Sequence, residues 1–233
     1  MKIYSKITTH LVAVDCIIFG YDILEKEIKL LLFKRSLEPA RGKWSLPGGF
    51  VNEKESLDDA ASRILFNLTG LKNVFMEQSY SYGAVDRDPG ARVISTAYFS
   101  LIKIQDIDNS LKELNGAHWR SIARLPELIF DHPEMVRRAL DEVRSQIKVK
   151  PVGFELLPEK FTLVQFQDLY EAIYQRKIDK RNFRKKILSM NILQKCDEKE
   201  KETSKKGAYY YQFISDRYET FRKNGFYFNL DVN

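Results

Sequence analysis

A glycine turn that leads directly into an amphipathic helix constrains the fold of this chain more than any other feature. The segment GFVNEKESLDDAASRILFNLTGL occupies residues 49–71. Ser56 and Asp59 have the spacing of a capping box at the start of the helix. Apolar residues then recur at helical spacing at Leu57, Ala60, Ala61, Ile64, Leu65 and Leu68. One face of this helix must therefore be buried.

The bulk properties indicate a globular protein of the cytoplasm. The 233 residues carry a formal net charge of +6, which is compatible with a polyanionic partner. Cys16 and Cys196 have no metal-type or redox-type spacing, which favours a reducing compartment. An export signal is not evident, and the apolar runs are shorter than the roughly 20 residues of a membrane helix. We expect a soluble protein without a membrane partner.

The chain changes character near residues 148–160, where KVKPVGFELLPEK carries two prolines and a glycine. Before it, the sequence predicts strands over residues 11–19, 28–35 and 92–104 and a helix over 133–147. After it, short helices predominate. We predict one domain over residues 1–150 and a second over 151–233. The second domain holds 16 lysines and arginines against 12 aspartates and glutamates, and is therefore the more basic part.

The spacing over residues 49–71 resembles the Nudix signature G-x5-E-x7-R-E-U-x-E-E-x-G-U, in which U is a bulky aliphatic residue. Matching positions are Gly49, Glu55, Arg63, Leu65, Gly70 and Leu71. The preceding KWSLPGGFV, residues 43–51, also resembles the Nudix entry loop. The resemblance implies a Nudix α/β/α sandwich with a mixed sheet. It also implies that Glu55 and Arg63 pair to brace the loop against the helix.

The three carboxylate positions of that signature are occupied by Ile64, Asn67 and Leu68. In the enzymes of the family, glutamates at these positions hold divalent metals. Mg²⁺ requires oxygen ligands, and here only Asn67 offers one, a neutral carbonyl. We therefore expect no metal, no cofactor, no catalytic residues and no pyrophosphate hydrolysis.

The former substrate cleft is instead expected to bind a small effector. Trp44 is a candidate for stacking on a flat ring or a sugar face. The loop VDRDPGAR supplies candidates for hydrogen bonds to hydroxyls or phosphates, namely Asp86, Arg87, Asp88 and Arg92. A simple surface-loop role stays open for each of these residues.

The segment after residue 160 predicts two short helices joined by a turn. Thr162 and Gln165 have capping-box spacing, and Asp179 is placed to cap the second helix. The second helix leaves a basic outward face, on which the predicted DNA contacts are Lys180, Arg181, Asn182, Arg184 and Lys185. The candidates for reading bases are Arg181 and Asn182.

A hairpin is predicted after these two helices. The stretch CDEKEKETSKK, residues 196–206, is predicted to be a solvated loop, and the strand GAYYYQF, residues 207–213, closes the hairpin. Lys205 and Lys206 are further predicted DNA contacts. Two helices followed by a hairpin form a winged helix-turn-helix, in which one helix enters the major groove and the wing touches the backbone. The fold class is therefore predicted as α+β.

The C-terminal segments FTLVQFQDLYEAI, DKRNFRKKIL and RYETFRKNGFYFNL closely resemble the corresponding region of the Nudix-related transcriptional regulators. The resemblance implies a regulator, usually a repressor, that binds palindromic operator DNA as a homodimer and is released by a small effector. Branches of the family sense sugars such as L-arabinose, or sense ADP-ribose and govern NAD metabolism. Because the metal-binding glutamates are absent, we expect a sugar, with arabinose favoured and ADP-ribose as the alternative.

Two other functions stay open at this stage. One is a Nudix hydrolase with displaced metal ligands, for example Glu53, Glu55 and either Asp58 or Asp59. The other is a protein-binding adaptor whose basic helix meets an acidic partner. Steep salt dependence of binding would favour DNA over the adaptor, because neutralised phosphates release counterions.

Overall fold

The computed structural model describes residues 7–72, 74–106, 116–149, 156–201, 207–217 and 220. They form two compact units. The first unit comprises described residues within 1–19, 30–100 and 107–139, and the second comprises those within 20–29, 101–106 and 140–233. The predicted domain boundary at residues 150 and 151 lies outside the described residues and stays a prediction.

A seven-stranded sheet forms the centre of the first unit, with a few strand residues assigned to the second. Its strands are β1 (Leu11–Asp22), β2 (Glu27–Lys34), β3 (Trp44–Ser45), β4 (Gly48–Phe50), β5 (Glu77–Tyr82), β6 (Val93–Lys103) and β7 (Ala117–Ser121). The main path runs β3-β2-β1-β6-β5, while β4 pairs with β1 and β7 pairs with β2. Residues 13–21 of β1 are all buried, which indicates that both faces of this strand are covered.

Helix α1 (Leu57–Thr69) begins at the capping box that the sequence predicts. Ser56 Oγ accepts a hydrogen bond from the Asp59 amide at 3.1 Å, and the Asp59 side chain in turn accepts a bond from the Ser56 amide. Gly70 ends the helix in the left-handed conformation, with φ of 73°, which glycine adopts without steric cost. Helix α2 (His132–Val149) follows later and extends from the first unit into the second.

The second unit contains a winged helix. Its elements are β8 (Phe161–Thr162), α3 (Leu163–Tyr174), α4 (Lys180–Ser189), β9 (Leu193–Glu200) and β10 (Ala208–Phe213). The three strands form a sheet of order β8-β10-β9 with antiparallel pairing. Its core is aromatic, because Phe166 makes edge-on contacts with Phe161, Tyr170, Phe183 and Phe213 at centroid distances of 5.2–5.7 Å. These contacts fix α3 and α4 against the hairpin.

The predicted fold class is confirmed. The three predicted strands and the helix predicted over residues 133–147 are also present, with bounds that differ from the predicted ones by at most three residues. One prediction is wrong in part. Residues 196–200 are not loop but the end of β9, in which Glu200 pairs with Ala208. Cross-strand backbone hydrogen bonds determine this strand in spite of its charged composition. Within the described part of the chain, no helix is long and apolar enough to cross a membrane.

Candidate DNA-binding face and effector cleft

The basic face of α4 is exposed as predicted. Lys180, Arg181, Asn182 and Lys185 are exposed, while Phe183 and Ile187 are buried against the rest of the unit. The Asp179 side chain accepts a hydrogen bond from the Asn182 amide at 2.7 Å and so caps the helix start. The helix therefore presents three cations and one amide to solvent from a fixed position.

Arg184 differs from the other predicted DNA contacts because its side chain is half-buried. Its Nε is buried and has no hydrogen-bond partner among the described residues. A buried donor without a partner is destabilising, and the role of Arg184 as a DNA contact stays a prediction. Lys205 and Lys206 lie outside the described residues, so their predicted role stays a prediction.

The hairpin carries a lysine and tyrosine cluster that the sequence did not reveal. Lys195 Nζ lies 3.4 Å and Lys199 Nζ 4.4 Å from the centroid of the Tyr209 ring. All three side chains are exposed. Both lysines lie on β9. Tyr209 lies on β10, where it pairs directly with Lys199. Residues 195 and 199 are four positions apart and therefore share one face of a strand. Had the sequence predicted a strand over residues 193–200, the two lysines could have been placed together.

The positions of the missing Nudix carboxylates differ sharply in burial. Ile64 is 4% exposed, and a Cβ added to Gly49 would lie 3.0 Å from its Cδ1. Asn67 is exposed and Leu68 is half-buried. Ile64 is thus a packing residue beneath the glycine turn, and the surface that would coordinate Mg²⁺ offers one neutral oxygen. The residues present do not fit a divalent metal of the family's type.

Glu55 and Arg63 form the predicted brace. Arg63 Nε donates to Glu55 Oε2 at 2.8 Å and its Nη2 to Glu55 Oε1 at 2.6 Å, with a further bond to the Phe50 carbonyl at 3.0 Å. The Asn52 amide also donates to Glu55 at 2.6 Å. These hydrogen bonds, led by those from Arg63, lower the pKa of Glu55 to about 2. The pair therefore fixes the turn to the helix.

Three of the four carboxylates of the hydrolase alternative are already engaged, while the fourth, Glu53, is exposed. Glu55 is held by Arg63, and the Asp59 carboxylate accepts from Ser56 Oγ at 2.7 Å. Asp58 accepts a hydrogen bond of 2.5 Å from the hydroxyl of Tyr98. Among the described residues, no group of three or more His, Cys, Asp or Glu side chains is arranged to hold a metal ion.

Trp44 lies half-buried within a cationic surface rather than as an open stacking platform. Lys34 Nζ lies 4.4 Å and Arg120 Cζ 4.8 Å from its ring centroid, and His118 packs edge-on at 5.3 Å. A ligand that stacks on Trp44 must share or displace these cations. Such a site would favour an anionic ligand over a neutral one.

Arg87, predicted to contact the effector, is instead a buried ion-pair residue. Its Nε and Nη2 donate to the two carboxylate oxygens of Asp131, each at 2.7 Å, and Asp15 Oδ2 lies 3.7 Å from Nη2. Burial opposes the charge of Arg87, but the hydrogen bonds and charge of Asp131 outweigh it and raise the pKa of Arg87 above its ordinary value. With a side chain 4% exposed, Arg87 has little surface to offer a ligand.

Asp15 and His132 complete a buried polar cluster with Arg87 that the sequence did not indicate. Ser95 Oγ donates to Asp15 Oδ2 at 2.6 Å. The Leu46 amide donates to His132 Nδ1 at 3.1 Å, which requires an unprotonated Nδ1. Burial lowers the pKa of His132, against the raising effect of Asp15 and Asp131, so the ring is neutral near pH 7. No sequence signal links these residues, because they lie far apart in the chain.

The other predicted effector residues lie on the same loop. Asp86 is exposed, while Asp88 accepts a hydrogen bond from the Gly90 amide at 2.8 Å and so shapes a turn. Arg92 Nη1 donates to the carbonyl of Ala84 at 3.1 Å. Their roles as effector contacts stay predictions, and Asp86 has the most accessible side chain of the three.

Comparison with protein families identifies both domains. The model of the NUDIX domain matches residues 9–139, and the model of the NrtR DNA-binding winged helix domain matches residues 153–213. The chain is 29% identical over 213 residues to a protein of Acinetobacter baylyi described as an ADPR responsive transcriptional repressor, with 90% of this chain and 84% of that protein covered.

Two solved structures from Shewanella oneidensis are similar. One is NrtR complexed with a 27mer DNA, with TM-score 0.74, 27% identity, and coverage of 89% of this chain and 95% of that chain. The other is the NUDIX domain of NrtR complexed with ADP ribose, with TM-score 0.52, 27% identity, and coverage of 60% and 92%. The chain therefore belongs to the Nudix domain family and, through its NrtR-type winged helix, to the Nudix-related transcriptional regulators.

Proposed function

We propose that this protein is a transcriptional repressor that binds operator DNA through α4 and is released from it by ADP-ribose. The observation that carries the proposal is the exposed basic face of α4, held in position by the Asp179 cap within an NrtR-type winged helix. Cations so placed suit contacts with phosphates and base edges in a major groove. The protein acts as a homodimer in the cytoplasm, with one winged helix on each half of a palindromic site.

ADP-ribose replaces L-arabinose as the proposed effector. The comparisons give no support to a sugar, whereas two similar proteins are described by their response to, or complex with, ADP-ribose. We expected a sugar because the metal-binding glutamates are missing. In the enzymes of the family those glutamates hold the metal for catalysis, and a ligand can bind without them. The cations beside Trp44 also favour a ligand that carries phosphates. Regulation of NAD metabolism, rather than of sugar catabolism, fits this effector.

The Nudix domain serves as a sensor and not as a hydrolase in this proposal. Ile64 is buried and apolar where the metal would need an oxygen, and Glu55, Asp58 and Asp59 already have partners. Magnesium-dependent hydrolysis of ADP-ribose would require at least two of those partners to be released. Incubation of the protein with ADP-ribose and Mg²⁺, followed by chromatography for AMP, tests this point. Stoichiometric excess of AMP over protein would restore the hydrolase alternative.

Selection of duplexes from a random-sequence pool tests the DNA-binding function whatever the operator sequence is. We expect enrichment of a two-fold symmetric site whose half-sites lie roughly 34 Å, or one helical turn, or a multiple of it apart. Binding to the enriched duplex should weaken steeply as salt rises. Failure to enrich any sequence, together with binding that is indifferent to salt, would contradict the proposal.

A further inference from the structure

Two segments beside the candidate effector cleft, the 84–92 loop and the entry loop, contact the residues at or just before the start of α2. Arg87, from the loop over residues 84–92, forms its two 2.7 Å hydrogen bonds with Asp131. The Leu46 amide of the entry loop donates to His132, and the Ile129 amide donates to the Trp44 carbonyl at 3.0 Å. Both segments are therefore hydrogen-bonded to the residues that lead into or begin α2.

The Arg87 contact is the strongest of these links. It is bidentate and charge-assisted, and Arg87 is buried, so separation of the two groups would leave an uncompensated charge away from water. The Asp131 carbonyl also accepts hydrogen bonds from the Glu134 and Met135 amides, each at 3.1 Å. Asp131 thus belongs at once to the loop contact and to the helix start. The loop and the helix are expected to move together.

Helix α2 also makes contacts within the second unit. Arg144 Nε donates to the Ile173 carbonyl at 3.1 Å, and its Nη2 donates to Gln175 Oε1 at 2.9 Å. Both acceptors lie at the carboxyl end of α3, the helix that precedes the DNA-contacting helix α4. One continuous helix therefore begins at a cleft loop and, twelve residues after His132, holds the end of a winged-helix element.

We infer that the Arg87 and Asp131 ion pair is the positioning contact through which effector binding in the Nudix domain changes operator affinity. This inference rests on the proposed function. Arg87 acts on the start of α2 and is not itself a ligand of ADP-ribose, contrary to its predicted role. Effector binding that moves the 84–92 loop displaces Asp131, and α2 transmits that displacement to Arg144 and α3. The contacts on this route are the hydrogen bonds of Arg87 with Asp131 and of Arg144 with the end of α3, and the coupling measurement tests whether they carry the effect.

The experiment uses the full chain, the selected operator duplex and ADP-ribose. Three variants are compared with wild type: Arg87→Lys, Asp131→Asn and the double variant. Calorimetry gives the ADP-ribose dissociation constant, and fluorescence anisotropy gives the operator dissociation constant with and without saturating ADP-ribose. The ratio of the two operator constants measures the coupling. Glu134→Gln is the matched control, because Glu134 pairs with Arg137 on the same first turn but on an exposed surface.

Coupling between sites typically spans roughly 5- to 150-fold in affinity, and we expect the ratio to lie in that range for wild type and the control. In Arg87→Lys, Asp131→Asn and the double variant it should fall to within about twofold of unity, while ADP-ribose affinity changes by less than about threefold. The double variant should show the same ratio as either single variant, because all three proteins lose the same contact. A purely structural role would lower the melting temperature without changing this ratio.

Suppose that Arg87→Lys and Asp131→Asn fold well and bind both operator and ADP-ribose. If the ratio of their operator dissociation constants is then the same as in wild type, the inference is overturned and the proposed function is left intact. A large loss of ADP-ribose affinity in Arg87→Lys would also overturn it, since Arg87 would then be a ligand-binding residue. If neither variant folds, Arg144→Ala is measured instead. A ratio near unity with ADP-ribose binding retained supports transmission through α2, and a wild-type ratio contradicts it. If ADP-ribose does not change the operator dissociation constant of the wild-type protein, the proposed function itself is refuted.

Discussion

Ile64 shows most clearly how this Nudix domain departs from the family signature at single residues. It occupies a metal-binding position of the signature, yet it is buried beneath Gly49 as part of the core. Asn67, at another of these positions, is exposed and makes no comparable packing contribution. Restoring the catalytic carboxylates would therefore be easy at one position and costly at the other.

We predict that Ile64→Glu destabilises the protein by on the order of 3 to 5 kcal/mol, because it leaves an uncompensated charge in the core. Asn67→Glu should change the free energy of unfolding by less than about 0.5 kcal/mol, since its side chain remains in solvent. Urea unfolding of the two variants beside wild type measures both. Equal stability of the two variants would contradict the placement of Ile64.

The Glu55 and Arg63 brace gives a pH-dependent prediction. The folded pKa of Glu55, about 2, lies below its ordinary value of 4.5, so the pair stabilises the fold fully above pH 4.5 and loses this effect as the pH falls towards 2. Glu55→Gln should therefore lower the melting temperature at pH 7, and the difference from wild type should shrink between pH 4.5 and 2.

Glu53→Gln is the control for this experiment, because it makes the same chemical change on an exposed side chain two residues earlier. Thermal unfolding at pH 7, 5, 4 and 3 gives the comparison. A Glu55→Gln difference that is the same at every pH would argue against the ion pair as its source.

The sequence predicted the Glu55 and Arg63 pair through a family signature, but it assigned Arg87 the wrong environment. A loop arginine flanked by two aspartates suggests a solvent-exposed ligand contact. Its partner Asp131 lies 44 positions away, and pairing over that distance depends on how the sheet and α2 meet. Patterns within a short window carry no information about such a contact.

At the scale of elements, those with long apolar runs or strong caps were predictable. Strand β1 buries both faces and α1 carries a complete capping box, so each pattern has one explanation. Strands β3, β4 and β8 have two or three residues each and exist because neighbouring strands pair with them. The end of β9 was missed for the same reason, since its charged residues favour a loop until β10 supplies hydrogen bonds.

The cap of α4 is testable at this scale. Asp179→Ala removes the side chain that accepts from the Asn182 amide and should lower the free energy of unfolding by about 1 kcal/mol. Asp179→Ser retains a capping oxygen and should remain within a few tenths of a kcal/mol of wild type. Chemical denaturation compares the two. A larger loss in the serine variant than in the alanine variant would show that the cap is not the source of stability.

The basic face of α4 predicts a distinct effect on DNA. Arg181→Ala should weaken binding to the selected operator by on the order of 1 to 3 kcal/mol, because in the proposed complex this exposed cation contacts a base or phosphate. Lys54→Ala removes an equally exposed charge from the loop before α1 and serves as the control. Anisotropy titrations measure both, and equal effects would indicate only a general electrostatic attraction.

At the scale of the whole molecule, the two-part organisation was predictable while its internal link was not. The change from strands to short helices near residue 150 predicts two domains, and the family models match residues 9–139 and 153–213. The contribution of α2 to both compact units depends on contacts between residues remote in sequence, such as Arg144 with Ile173. In the proposed function, this shared helix is the route by which the effector changes operator affinity.

Titration of the operator complex with ADP-ribose, in the presence of Mg²⁺ and with product analysis of the same sample, distinguishes an effector-controlled repressor from a hydrolase in one experiment. We expect operator affinity to fall by roughly 5- to 150-fold as ADP-ribose saturates the protein, and the ADP-ribose to be recovered intact. Operator affinity that is unchanged at saturation, or ADP-ribose that is steadily converted to AMP, would refute the proposed function.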